Sequence, residues 1–171
     1  MHGDDEQQFT NWVDARASAL RRTAFLICGD WHAADDAAQA TLTKLYLAWP
    51  RLTRRDDIDG YAWRVLTRSL TDEWRRPWRR REHPVELVPD RAADDHTGQV
   101  DQQRLVLDAL AGLPGRQRAA LVLRFWQDLS VEETAAALGC SPGAVKSHTF
   151  RGLQALRVRL GDGFLIEQKG A

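Results

Sequence analysis

The sequence predicts an all-α protein made of two small helical domains joined by a flexible linker, and three observations carry that reading. Apolar residues recur at helical spacing through most of the 171-residue chain. The stretch Ser130–Leu160 carries the punctuation of two helices joined by a tight turn. Between the two helical parts, Glu82–Gln99 changes to Pro, Ala, Asp, Thr and Gly, the composition of an extended tether. The predicted boundaries are 1–81 for the first domain, 82–99 for the linker, 100–160 for the second domain and 161–171 for a tail.

In the first domain, Phe9, Val13, Ala17, Leu20, Ala24 and Ile27 form one apolar stripe, predicting a helix from about Asp5 to Cys28 that Gly29-Asp30 ends. A second helix, His32 to Trp49, buries Ala38, Leu42, Leu45 and Trp49, and Pro50 is expected to stop it. The polar segment Arg51–Gly60 has no period and reads as a loop. A third helix, Tyr61 to about Arg76, buries Ala62, Val65, Leu66 and Leu70 and turns Arg64, Arg68, Thr71 and Arg75 outward. The run Trp74–Arg81 then holds five arginines, two tryptophans and no acid. Arginine beside aromatic rings suits phosphate contact and base stacking; it also suits a solvated helix end whose tryptophans cap the core, and the two readings are compatible.

In the second domain, Val100, Leu105, Leu107, Leu110 and Leu113 continue a helical pattern that Pro114-Gly115 breaks. A helix from about Arg116 to Gln127 is expected to bury Ala120, Leu121, Leu123 and Phe125. Ser130 with Glu133 forms a capping box, in which hydroxyl and carboxylate satisfy each other's unpaired backbone amides. Val131, Ala135 and Leu138 make a short apolar face, and Gly139 stands where a helix end favours a left-handed residue. Ser141-Pro142 restarts a helix at once, as N-cap and first helical residue. That helix lines one side with Val145, Thr149, Leu153, Leu156 and Leu160 and presents Lys146, Ser147, Phe150, Arg151 and Gln154 on the other. The result is a helix-turn-helix whose outer face is suited to the DNA major groove.

Charge is balanced overall but strongly blocked: net −3 over residues 1–50, +5 over 51–81, −5 over 82–103 and +3 over 104–171. Two basic surfaces separated by an acidic connector are the consequence of this pattern. Cys28 and Cys140 have no partners at metal-ligand spacing and read as small buried residues. No secretory leader and no apolar run of about 18 residues is legible, which points to a soluble, cytoplasmic chain with no membrane partner. No cofactor, metal site or nucleophile–base pair is expected.

Leu113–Arg157 resembles region 4, and Asp35–Trp49 followed by Tyr61–Arg76 resembles region 2, of the extracytoplasmic-function (ECF) class of bacterial sigma factors in the sigma-70 family. The resemblance runs through nearly the whole chain in the right order. It implies a promoter-specificity subunit whose partners are core RNA polymerase, through the clamp helices and flap of its largest subunits, and promoter DNA. On the polymerase side it points to Asp36, Gln39, Ala40 and Thr43; Ala40 stands where the family commonly has Glu. For the single-stranded −10 element it implies Arg54, Arg55, Tyr61, Arg64, Arg68, Trp74, Arg75 and Arg76, with Arg68 where many members have Asn. For the duplex −35 element it implies Arg118, Arg124, Lys146, Ser147, His148, Phe150 and Arg151. An anti-sigma factor is the further candidate partner.

The physics of the two targets agrees with this division. Melted DNA suits a basic surface with aromatic platforms, here Tyr61, Trp63, Trp74 and Trp78, whereas duplex DNA suits a groove-reading helix. Two other classes compete. A stand-alone regulator would need a dimer face or ligand pocket in residues 1–80, and a nucleic-acid-processing enzyme would need Asp56, Asp57 and Asp59 to hold a metal ion. Neither requirement is supported by further residues at suitable spacing.

Overall fold

A computed structural model describes residues 3–52, 57–74 and 97–161, all of them helical or in short turns. Helix α1 spans Gly3–Cys28 and α2 spans Trp31–Leu52. Gly29, at a φ of 74°, makes the turn between them, and Asp30 begins α2 by accepting the Ala33 amide at 2.9 Å. The two helices run antiparallel: Phe9 meets Trp49 edge-on at 5.1 Å at one end, and Phe25 stacks on Trp31 at 4.0 Å at the other. Pro50 does not stop α2, which continues through Leu52. The proline ring holds a helical φ, and its missing amide affects only this final turn.

Helix α3, Ile58–Trp74, starts three residues before Tyr61. Asp57 sets that start, its Oδ1 accepting the Gly60 amide at 3.0 Å. The buried face of α3 is Ala62, Trp63, Leu66, Thr67 and Leu70.

The second set of helices is α4 (Thr97–Ala111), α5 (Gly115–Leu121), α6 (Val131–Leu138) and α7 (Pro142–Leu160). Helix α4 reaches into the segment expected to be linker; the remainder of that linker, residues 82–96, and tail residues 162–171 lie outside the described residues. Helix α5 passes directly into a π-helical turn, Val122–Trp126. There the Gln127 amide reaches back five residues to the Val122 carbonyl at 3.1 Å. The wider turn shifts the phase of its own later residues. Phe125, expected inside, is therefore 61% exposed, and Trp126 beside it is 57% exposed.

The punctuation around α6 and α7 is as the sequence predicts. Ser130 Oγ accepts the Glu133 amide at 3.1 Å, and Glu133 Oε2 accepts the Ser130 amide at 2.7 Å. Gly139 is left-handed at a φ of 63°, and Ser141 Oγ accepts the Ala144 amide at 3.1 Å. Gly152 adds a device that periodicity hides. A Cβ there would lie 2.8 Å from Leu121 Cδ1, so its absence lets α7 lie closely on α5.

The two helical sets also pack on each other. One continuous apolar cluster takes Leu20, Ala24, Phe25, Ile27, Trp63, Leu66 and Leu70 from the first set and Leu107, Ala119, Val122, Leu123 and Ala137 from the second. This explains why α1 is buried on every side from Thr23 to Ile27 while its first turns are not. Two hydrogen bonds cross the same seam: Thr67 Oγ1 donates to the Ala137 carbonyl at 2.5 Å, and Gln127 Nε2 donates to Thr23 Oγ1 at 2.5 Å. Among the described residues, no helix is long and apolar enough to cross a membrane.

Candidate nucleic-acid interface

Helix α7 buries Val145, Gly152 and Leu156 and half-buries Thr149, Leu153 and Leu160. Its opposite face exposes Lys146, Ser147, Phe150, Arg151 and Gln154, so the outward set read from the sequence is outward in the fold. Phe150 is 61% exposed. His148 is half-buried at the margin of this face. Partial burial, with the positive charges of Arg116 and Arg151 nearby, holds its imidazole below the ordinary pKa. Arg116, from α5, thereby joins the basic edge of the reading helix; no spacing in the sequence pairs it with residues some thirty positions later.

Arg118 and Arg124 are placed differently. Arg118 is drawn inward, donating to the Ala111 carbonyl at 3.1 Å, and burial lowers its pKa from the usual arginine value. Arg159, from α7, donates to the neighbouring Gly112 carbonyl at 3.0 Å. Two guanidinium groups thus meet the carbonyl end of α4, where the helix dipole is negative. Arg124 donates to the Leu129 carbonyl across the π-helical turn, with its guanidinium carbon 6.0 Å from the Phe125 ring centroid. Both arginines hold turns together behind α7.

On α3, Arg64 and Arg68 are exposed and Tyr61 is half-buried. Arg64 pairs with Asp57 at 3.3 Å. Trp74 is the last residue of α3, and its side chain, with Arg54, Arg55, Arg75, Arg76 and Trp78, lies outside the described part of the chain. Trp63 corrects the sequence reading of it as a stacking platform. It is 8% exposed and belongs to the shared core, because α6 packs over its side of α3.

Asp57 and Asp59 have structural work that the sequence does not announce. Asp57 caps α3 and pairs with Arg64. Asp59 binds Arg16 at 2.8 Å and accepts the Trp12 indole N–H at 2.9 Å. Asp56 is not among the described residues, and among those described no three His, Cys, Asp or Glu residues are gathered to hold a metal ion. Cys28 and Cys140 are half-buried thiols outside any disulfide rather than fully buried ones, and Cys28 Sγ donates to the Asp30 carbonyl at 3.2 Å.

On α2, Asp36, Gln39 and Thr43 are exposed along one stripe and Ala40 is half-buried. Leu47, one turn further along, is 69% exposed and extends that stripe with an apolar end. Asp35 turns the other way, to a two-point pair with Arg21, and the Arg21 hydrogen bond holds its carboxyl below the usual carboxylate range.

A capped helix-turn-helix with an exposed basic face, set beside a second helical unit with its own exposed arginines, has the form of a DNA-binding protein. Comparison with known proteins gives the family. Residues 12–80 match the sigma-70 region 2 family and residues 103–156 match sigma-70 region 4. The RNA polymerase sigma-E factor of Streptomyces avermitilis is 39% identical over 153 residues, covering 90% of this chain and 85% of the relative. The ECF RNA polymerase sigma factor SigD of Mycobacterium tuberculosis is 35% identical over 130 residues, covering 72% and 61%. Among solved structures, the sigma factor RpoE in complex with the anti-sigma factor NepR from Bartonella quintana shares the fold, with a TM-score of 0.73 and 22% identity over 91% of this chain and 98% of that one. CnrH in complex with the cytosolic domain of CnrY gives 0.62 and 23% over 91% and 88%. The chain belongs to the ECF sigma factors of the sigma-70 family: it directs RNA polymerase to promoters through regions 2 and 4 and is not an enzyme.

Proposed function

We propose that the two units divide promoter recognition between them, residues 1–81 docking on core polymerase and holding the melted −10 strand, residues 100–160 reading the −35 duplex. The observation that carries this is the two-sidedness of α7, which buries Val145, Gly152 and Leu156 while exposing Lys146, Ser147, Phe150 and Arg151. A helix of this kind fits the major groove, where each base pair shows a distinct donor and acceptor pattern. His148 and Arg116 lie at its edge within reach of flanking phosphates, and Arg118 and Arg124 brace the turns behind it. On the other unit, Arg64 and Arg68, with Tyr61, Arg54, Arg55, Trp74, Arg75 and Arg76, supply the cationic and aromatic groups that unpaired bases favour. The α2 stripe of Asp36, Gln39, Ala40, Thr43 and Leu47 is the polymerase-docking face, with Leu47 as an apolar anchor. An anti-sigma factor is the regulatory partner this reading takes, as the sigma factor RpoE, which shares the fold, was solved bound to one.

The test is transcription with core polymerase on a promoter carrying both elements. Lys146→Ala and Arg151→Ala should each weaken −35-dependent initiation; a base contact is worth about 1–3 kcal/mol and relaxes specificity at one position, whereas a phosphate contact lowers the salt slope by about one unit. Unchanged promoter use in both variants would mean that α7 is not the reading helix.

A further inference from the structure

We propose that the ten residues after Gly161 fold back along α7, so that their apolar triplet covers Val158 and the tail competes with duplex DNA for the outer face of that helix. The inference rests on the reading of α7 as the −35 helix and concerns the regulation of that same site. Val158 is 87% exposed, more than any other large apolar side chain among the described residues. Its direction is informative. At about 3.6 residues per turn, a step of eleven residues returns to within about 20° of where it began, and Val158 follows Ser147 by that step. Arg151 and Gln154 lie between them on the same stripe, both exposed. The outer face of α7 therefore ends in a bare apolar side chain. A lone exposed valine is ordinary on a protein surface; the sequence that follows this one makes it a docking point.

Gly161 closes α7, its amide donating to the Arg157 carbonyl at 2.8 Å, at a φ of 83° that other residues seldom take. The chain thus leaves the helix axis less than one turn past Val158. Asp162 and Gly163 come next, then the triplet Phe164-Leu165-Ile166, then Glu167. Measured back from Gly161 at 1.5 Å per residue, Val158 lies about 4.5 Å and Arg151 about 15 Å along α7. An extended chain covers about 10 Å to Phe164 and about 20 Å to Glu167. The triplet therefore reaches Val158 with slack, and Glu167 reaches Arg151. Charge favours the same course. Helix α7 carries Lys146, Arg151, Arg157 and Arg159 and no acid, whereas residues 162–171 set Asp162 and Glu167 against Lys169. The phosphate backbone, far more densely charged, displaces such a tail when DNA arrives. A face covered part of the time binds with an affinity reduced to the uncovered fraction, so a tail seated about four-fifths of the time weakens binding about five-fold.

Phe164→Ser in the full chain tests this, because it removes the apolar contact and leaves every charge in place. Affinity for a −35 duplex should rise by about five-fold. Val158→Ser, at the other end of the contact, should give a gain of the same size, and the double variant no more than either alone, since both remove one interaction. In the free wild type, nuclear Overhauser contacts should join the Phe164 ring to the Val158 methyls and vanish when duplex is added. Contacts seen only between differently labelled chains would put a second copy on Val158. Equal duplex affinity in wild type and Phe164→Ser, with a difference confined to binding of core polymerase, would give the patch to the polymerase. Either result overturns the proposal, as does a free chain in which Phe164 touches no part of α7, or gains that multiply in the double variant. If neither wild type nor Phe164→Ser binds a duplex, the reading of α7 has failed instead, and the spectra still report whether Phe164 sits on Val158.

Discussion

Helices α6 and α7 and helix α3 both present arginines to solvent, but they are held by different kinds of interaction. The helix-turn-helix is set by neighbours in sequence: Ser130 with Glu133, Gly139, and Ser141 with Ala144. Helix α3 is set by residues far away. Thr67 bonds to a carbonyl 70 positions later, Asp59 is shared with Trp12 and Arg16, and Trp63 is covered by the opposite unit. Helix α7 thus carries its own frame, whereas the burial of one side of α3 depends on the other unit. A surface of the first kind can be read from a sequence; one of the second kind cannot.

The sharpest way to break this comparison is Trp63→Ala. A buried tryptophan cut back to alanine leaves a large cavity, and losses of about 3–5 kcal/mol are usual. Trp63 should behave this way in thermal or denaturant unfolding of the full chain, because it is 8% exposed in the folded chain. A normal unfolding midpoint coupled with a defect confined to binding of single-stranded −10 DNA would restore Trp63 to the role of an exposed platform and undo the contrast.

The limits of the sequence reading run along the same division. Helix starts and stops around Ser130 and Ser141 were legible because the groups that satisfy the orphan amides are three residues away. The outward face of α7 was legible because periodicity alone assigns it. Phe125 was misplaced inward because a π-helical turn adds a residue to the cycle, and no residue type advertises that turn. Trp63 reads as a stacking platform by chemistry and position, whereas the fold gives it to the core, and no local pattern shows that Arg118 donates to the Ala111 carbonyl at the end of α4. Asp57 and Asp59 read as part of a polar loop, whereas the fold supplies them with partners, Arg64, Arg16 and Trp12, that local sequence does not announce. The seam itself was invisible: small residues such as Ala119 and Ala137 satisfy the periodicity of their own helices whether or not another helix lies against them.

A smaller effect tests the local side of the comparison. Ser130→Ala removes one half of the capping box and should cost about 1 kcal/mol, seen as a modest fall in the unfolding midpoint together with weaker −35 duplex binding. Ser130→Asp should recover most of it, since a carboxylate caps as well and favours the positive end of the helix dipole. A loss as large as that for Trp63→Ala would show that α6 depends on more than its own cap.

The smallest effect is a pH dependence in which the local frame meets a neighbouring helix. His148 belongs to α7, but its lowered pKa comes from partial burial first and then from the charges of Arg116 on α5 and Arg151 on α7. Its folded pKa lies below the unfolded value of about 6.5, so on acidification the unfolded chain takes up the proton first. The stability linked to this group is complete above about pH 6.5 and is lost as pH falls from there through the lowered folded value. Denaturant unfolding compared at pH 7.5 and pH 5.5 should show a fall in wild-type stability that His148→Gln reduces. Arg116→Ala should reduce it only in part, because burial, the larger cause, remains. A wild-type profile identical to that of His148→Gln would place the imidazole in open water, and a profile abolished by Arg116→Ala would make the cross-helix charge, rather than burial within the unit, the dominant influence on this edge of the reading helix.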